Sequence, residues 1–374
     1  MPRVVWIFEY PVLNGAEHSL LAMQQGLQAQ GVDLIALAPP HGELANALRV
    51  LKIPVEGSLD FPTSATRNTL TEKRQRLAEH LRRLQPDLVH ANSLAMARVA
   101  GPVSLEAGLP CLGHVRDIVG LSRQAMADVN ASARLLTVSQ AVRDWHLAAG
   151  MSAAKTHVLY NGVDLERFRP QAARGTLHAE LQLADEALLV GGIGQIGLRK
   201  GWDVLLTAAE QFAHKCPIVH YLIVGQRHAE KAESVEFERS LQARAATGPL
   251  RGRVHWLGRR SDIPMLLPEL AVLVHPARQE PLGRVLLEAG AAGVAIVASD
   301  VGGTREIFPT KLQAARLVPP ENPEALAEQL TQLLADPPLR QRLGQAARQR
   351  IARHFGVALH SRALFDHYSD LLPV

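Results

Sequence analysis

Short runs of consecutive apolar residues alternate with stretches of helical period along the whole chain. In the first half the runs are RVVWIF (3–8), VDLIAL (32–37), DLVHA (87–91), PCLGHV (110–115), RLLTVS (134–139) and THVLY (156–160). The second half repeats the rhythm with ALLVGGI (187–193), IVHYLIVG (218–225), RVHWLG (253–258), LAVLVHP (270–276), VAIVAS (294–299) and ARLVP (315–319). Runs this short and this uniformly apolar predict strands buried on both faces, and the segments between them, such as 16–30, 68–84 and 139–149, predict the covering helices. The fold class is therefore α/β, with two doubly wound, Rossmann-like domains in tandem. The polar stretch 161–175, which contains Asn161-Gly162 and Pro170, is the natural junction. The expected domains are 1–165 and 166–355, with a last helix, 356–374, crossing back to the first domain. Open parallel sheets take ligands off the carboxyl ends of their strands, so two facing sheets predict a cleft and a closing motion.

Length agrees with two domains, since 374 residues exceed what one ordinary core holds. The composition, 47% apolar and 20% charged, is that of a globular protein. No apolar run approaches the roughly 18–20 residues of a membrane span, and the start MPRVVWIFEYP lacks a signal-peptide layout, which predicts a cytoplasmic location. Cys111 and Cys216 have no metal-ligand spacing and fit buried thiols in a reducing compartment. The net charge of +4 favours anionic substrates but is too small to indicate nucleic acid. Oligomeric state is not legible.

Three stretches carry candidate chemistry. In GGIGQIGLRKGWDVLL (191–206), Gly192, Gly194 and Gly197 spell G-x-G-x-x-G between a strand and a helix, with Arg199 and Lys200 following. The acidic ribose partner of a nicotinamide site is missing, because the next strand ends in Gln226 and Arg227. What remains is a phosphate site whose two cations neutralise a diphosphate, or alternatively two cations on an exposed helix start. In HPARQEPLGRVLLEAGA (275–291), Glu280 lies in the loop after a buried strand and Glu288 lies within an otherwise apolar helix. The amides of Leu282, Gly283 and Arg284 sit at the positive end of that helix. A nucleoside diphosphate sugar needs such partners: a carboxylate for the ribose diol (Glu288), amides for phosphate, and an acceptor for sugar hydroxyls (Glu280). The alternative is a dipole carboxylate at 280 and a helix-surface ion pair between Glu288 and Arg284. In SDVGGTREIF (299–308), Gly302-Gly303 either lets a ligand approach the backbone or makes an ordinary turn.

Together these stretches resemble the C-terminal half of the retaining family-4 glycosyltransferases of GT-B fold. Pro276, Glu280, Pro281, Gly283, Glu288 and Ala289 match the family's E-x7-E run, Val301, Gly302, Gly303 and Glu306 match its downstream element, and Lys200-Gly201 match its phosphate loop. YNGVDLERFRP (160–170) is similar to its interdomain stretch. The N-terminal half resembles the family more loosely, through the Gly-rich start of LNGAEHSLLAMQQGLQ, the strand ends DLVHANS and CLGHVRD, and TVSQAV. The sequence departs at Gln195, where many members have arginine, and Arg199 is the candidate replacement.

The resemblance implies an acceptor-binding first domain, a donor-binding second domain, and transfer of a sugar from a UDP- or GDP-sugar to a hydroxyl. It implies catalytic roles for Glu280, His114 and Lys200, and donor contacts from Gly15, Arg199, Lys200, Leu282, Gly283, Arg284 and Glu288. It implies a front-face route with retention; double displacement through a carboxylate stays open. Negative charge growing on the leaving phosphate is met by prepaid donors. No Asp-x-Asp pair is present, so no metal and no other cofactor is expected. The acceptor is a saccharide, a lipid-linked molecule or a small molecule, in the building of glycans, lipopolysaccharide or glycolipids. Arg67, Lys73, Arg74, Arg76, Arg82 and Arg83 beside Leu70, Leu77, Leu81 and Leu84 make a basic amphipathic segment, either a solvated helix face or a peripheral contact with anionic lipid. Competing readings are a nucleotide-sugar epimerase, which needs further acids, a nicotinamide oxidoreductase, and an inactive binding module.

Overall fold

A computed structural model describes residues 1–59, 68–214, 216–227 and 230–372, and the chain divides into two compact units. Unit 1 comprises Met1–Gly162 with Val357–Val374, and unit 2 comprises Val163–Gly356. The chain thus passes from one unit to the other just ahead of the expected position 165. Arg67 lies outside the described residues.

Unit 1 holds β1 (Arg3–Ile7), β2 (Asp33–Leu37), β3 (Leu88–Ala91), β4 (Cys111–Val115), β5 (Arg134–Thr137) and β6 (Thr156–Val158), all parallel in the order β2-β1-β3-β4-β5-β6. Unit 2 holds β7 (Leu188–Ile193), β8 (Val219–Val224), β9 (Val254–Gly258), β10 (Val272–His275), β11 (Ile296–Ser299) and β12 (Arg316–Val318), parallel in the order β12-β11-β10-β7-β8-β9. Every apolar run read as a strand forms one. The reason is uniform: these residues have no polar side to turn to water, and only a sheet covered on both faces buries them. Trp6, Leu34, Leu88 and Leu112 lie in one core, and Val190, Tyr221, Val272 and Val297 in the other.

The helix expected over 16–30 is two, Gly15–Leu21 and Gln24–Ala29. At the break Met23 N–H turns to Leu20 O (3.0 Å), while the Met23 carbonyl also accepts from Ser361 Oγ (3.1 Å) on the last helix, Val357–Ser369. That last helix belongs to unit 1. Its Tyr368 is fully buried, accepting from Trp6 Nε1 (3.0 Å) and lying 2.5 Å from His90 Nδ1. Among the described residues no helix is long and apolar enough to cross a membrane. The helix Leu70–Leu84 buries Leu77, Leu81 and Leu84, and two of its cations are already engaged, Arg74 with Asp128 and Arg83 with Glu56.

Candidate functional site

In unit 2 the loop between β10 and the helix Arg284–Ala291 carries Glu280, whose residue surface is only 6% exposed. Its Oε2 accepts from Lys200 Nζ (2.5 Å) and His275 Nε2 (2.8 Å). An ionised carboxylate only accepts, so His275 carries its proton on Nε2. Burial alone raises the Glu280 carboxyl. The Lys200 ammonium, the His275 hydrogen bond and the Arg199 charge overcome that and hold it well below the usual carboxylate range. Burial, followed by the Lys200 charge, lowers the His275 imidazole, which is therefore neutral at pH 7. The sequence places Lys200 against phosphate alone; in the structure its charge is already matched by Glu280. Arg199, one residue earlier, is exposed and donates to Gln279 O (3.2 Å), with no carboxylate in ion-pair reach among the described residues.

Two glycines explain why these loops meet. Gly201 has φ +67° and lies so close to Pro276 O that a Cβ would collide with it, which presses the lysine loop onto the end of β10. Gly302 has φ +51°, and a Cβ there would strike Glu280 O, while Gly303 N–H donates to that same carbonyl (3.1 Å). The Gly-Gly turn therefore supports the backbone of Glu280, where the sequence reading allowed a ligand. The G-x-G-x-x-G match is likewise not a dinucleotide turn. Gly192 makes room for the Trp202 ring, Gly197 is in extended backbone, and the α-helix begins only at Trp202, after a single 3-10 turn, Leu198–Lys200, that carries Arg199 and Lys200.

Arg278 fastens the two loops from the side. Its guanidinium donates to both oxygens of Asp203 (2.9 and 2.7 Å), to Leu198 O (2.7 Å) and to Glu321 (2.8 Å), and its amide donates to Arg199 O (2.9 Å). Burial opposes ionisation of Asp203, but the Arg278 hydrogen bonds and charge win and lower its carboxyl. Glu288 is buried on the helix and pairs with Arg284, Nε to Oε1 at 2.7 Å. Of the two alternatives for this residue the ion pair is present, although the pair is not a solvated surface one. Leu282 is buried, and the amides of Leu282, Gly283 and Arg284 have no acceptor among the described residues, as first-turn donors do.

In unit 1, Gly15 opens a seven-residue helix whose Glu17 accepts from Asn14 N–H (3.0 Å). His114 is the penultimate residue of β4, fully buried and stacked on His90 with ring centroids 5.4 Å apart. Its Nδ1 accepts from Arg116 (3.0 Å) and lies 3.3 Å from His90 Nε2, which leaves the proton on Nε2. Burial, then the Arg116 charge, lowers the His114 imidazole well below its ordinary value. The charged group that follows β4 is Arg116.

Comparison with known proteins settles the family. The model described as glycosyl transferases group 1 matches residues 173–350, and that described as glycosyltransferase family 4 matches residues 13–167. The chain is 32% identical over 309 residues to the alpha-maltose-1-phosphate synthase of Mycobacterium tuberculosis, covering 78% of this chain and 76% of that protein. The chain belongs to the family-4 glycosyltransferases. Another glycosyltransferase, the GDP-mannose-dependent alpha-mannosyltransferase of Mycobacterium tuberculosis, is 25% identical over 363 residues, 91% of this chain and 89% of that one. A crystal structure of Anabaena Alr3699/HepE in complex with UDP-glucose superposes with a TM-score of 0.86 at 22% identity, over 99% of this chain and 100% of that one. The two six-stranded parallel sheets are those of the GT-B fold.

Three residues that the structure joins to the sequence-predicted site residues carry no assignment in the sequence. In sequence His275 only closes a strand, and its partner Glu280 five residues on is the available signal. Arg278 has none, because its acceptors, Asp203, Leu198 O and Glu321, are all remote in sequence. Arg116 lies in CLGHVRD two residues after His114, the more conspicuous candidate for chemistry.

Proposed function

We propose that this glycosyltransferase moves a hexosyl group from a UDP- or GDP-sugar to a hydroxyl acceptor with retention and without a metal ion, in glycan, lipopolysaccharide or other glycoconjugate assembly. The observation that carries the reading is the buried, ionised Glu280 held by Lys200 and His275 beside the start of the helix Arg284–Ala291. Lys200 and His275 both use Oε2, so Oε1 is the oxygen available to a sugar hydroxyl. Arg284 uses Oε1 of Glu288, so Oε2 is available to a ribose diol. HepE binding UDP-glucose, and a mannosyltransferase dependent on GDP-mannose among the relatives, support the two donor classes.

In the step, the bond between the anomeric carbon and the diphosphate oxygen breaks, and the acceptor oxygen bonds that carbon on the same face. The acceptor proton passes to the leaving phosphate. Charge grows on that phosphate, where Arg199, the two remaining Lys200 N–H bonds and the amides at 282–284 stabilise it in place of a metal. Glu280 orients the sugar instead of attacking it. The acceptor domain is unit 1, and the location is the cytoplasm, with the basic segment beginning near residue 68 as the surface for any contact with anionic lipid.

Donor hydrolysis tests this without a known acceptor, since water then takes the sugar. In EDTA, fresh NMR spectra of the reaction with an α-linked UDP- or GDP-hexose should show the α anomer released first, at the rate seen without chelator. A first-formed β anomer, an epimerised donor or arrest by EDTA contradicts the reading.

A further inference from the structure

Arg116 is a buried cation with only neutral partners. It follows the end of β4, its residue surface is 7% exposed, and burial pulls its guanidinium down to about 10. Nε and one terminal nitrogen donate to Asn92 Oδ1 (3.1 and 2.8 Å), that same terminal nitrogen donates to His114 Nδ1 (3.0 Å), and the other donates to Asn161 Oδ1 (2.8 Å). No carboxylate lies within ion-pair distance among the described residues; Glu17 and Asp117 act on it only through space. Glu17, the larger of these two influences, is itself committed to Asn14 N–H.

An unpaired buried charge is expensive, and the inexpensive solution is a carboxylate in the shell. This chain places asparagine at both positions where aspartate would fit, Asn92 and Asn161. Arg116 donates to Asn92 and so fixes its amide with Oδ1 inward. The Asn92 Nδ2 group is then turned elsewhere, and it is buried without any acceptor in a residue only 1% exposed. One N–H of the terminal nitrogen that meets Asn161 is also unused, since a guanidinium has five and four are accounted for. Donors in surplus, one of them cationic, with no acceptor to match, define the chemistry of the missing partner. Their place does too: Asn92 follows β3 and Arg116 follows β4, at the carboxyl ends of neighbouring parallel strands, where such sheets take ligands.

We propose that Arg116, Asn92 and Asn161 form a receptor for an oxyanion, a phosphate or carboxylate carried by one of the two substrates. The inference rests on the sugar-transfer reading only for what carries the group, either the donor's diphosphate or an anionic substituent on the acceptor. Asparagine in place of aspartate keeps the guanidinium uncommitted until that group arrives.

The test is calorimetric titration of the full chain with sodium phosphate, alone and with saturating UDP, for the wild type, Arg116→Gln and Asn92→Asp. Both variants should bind phosphate roughly 10- to 100-fold more weakly, the loss of a charge-assisted hydrogen bond. Asn92→Asp is close to isosteric and gives Arg116 an internal carboxylate, so it carries the test if Arg116→Gln does not fold. Arg116-dependent binding that persists under UDP assigns the site to the acceptor; Arg116-dependent binding that UDP abolishes assigns it to the donor. Either supports the receptor. Phosphate binding that is absent from the wild type, or equal in all three proteins, overturns it. UDP binding that remains intact in that event leaves the transfer reading standing.

Discussion

Lys200→Ala should lower the rate of sugar transfer by about 10²–10³-fold, the usual cost of one donor aimed at developing charge. Lys200 has two tasks in this site. Its ammonium holds Glu280 ionised at 2.5 Å, and in the proposed reaction its two other N–H bonds meet the leaving phosphate. Removing it deletes a cation from the leaving-group side and leaves Glu280 with only the His275 hydrogen bond and the more distant Arg199 charge to offset burial. Donor binding should fall less than turnover, because ground-state phosphate retains Arg199 and the amides, whereas the extra transition-state charge loses its closest partner. Steady-state kinetics of donor hydrolysis separate the two effects. A change confined to KM would show that Lys200 acts in binding alone.

Glu280→Gln should change both the level of stability and its dependence on pH. At neutral pH the variant leaves a half-buried ammonium without its anion, and breaking such a pair costs on the order of 3 kcal/mol. The folded-state carboxyl of Glu280 lies below its unfolded value of about 4.3. Its contribution is therefore fully present above that value and is lost as pH falls through it towards the lower folded-state value. The wild type should accordingly lose its advantage over the variant on acidification, and the two stabilities should converge. Urea unfolding at a series of pH values from 7 to 3 reads the difference. A gap that stays constant over that range would mean that Glu280 is not an ionised partner of Lys200.

The strands were legible because each is a short apolar run with no polar face, and that pattern has one physical solution. The break at Met23 was not, because the helical period runs through it, and what marks the turn is a hydroxyl from Ser361 at the far end of the chain. The site was legible where spacing along the chain carries it, as with Glu280 and Glu288 flanking the start of one helix. It was not legible where the chain meets itself. Nothing near Gly302 in sequence says that its missing side chain makes way for the carbonyl of Glu280, nor that Arg278 reaches Asp203. The pairing of Lys200 with Glu280 joins two motifs that the sequence presents only as separate contacts to a ligand. A histidine near the end of an apolar strand says nothing in sequence about its neighbours, and those of His114 are a second histidine and an arginine.

The central claim, a nucleoside diphosphate held on unit 2 by Glu288 and the basic loop, is tested most directly by calorimetric titration of UDP, GDP, ADP and NAD in EDTA. UDP or GDP should bind the wild type without metal and bind Glu288→Ala roughly 10- to 100-fold more weakly. Binding of NAD alone, or equal affinity of wild type and variant for the preferred diphosphate, would contradict it.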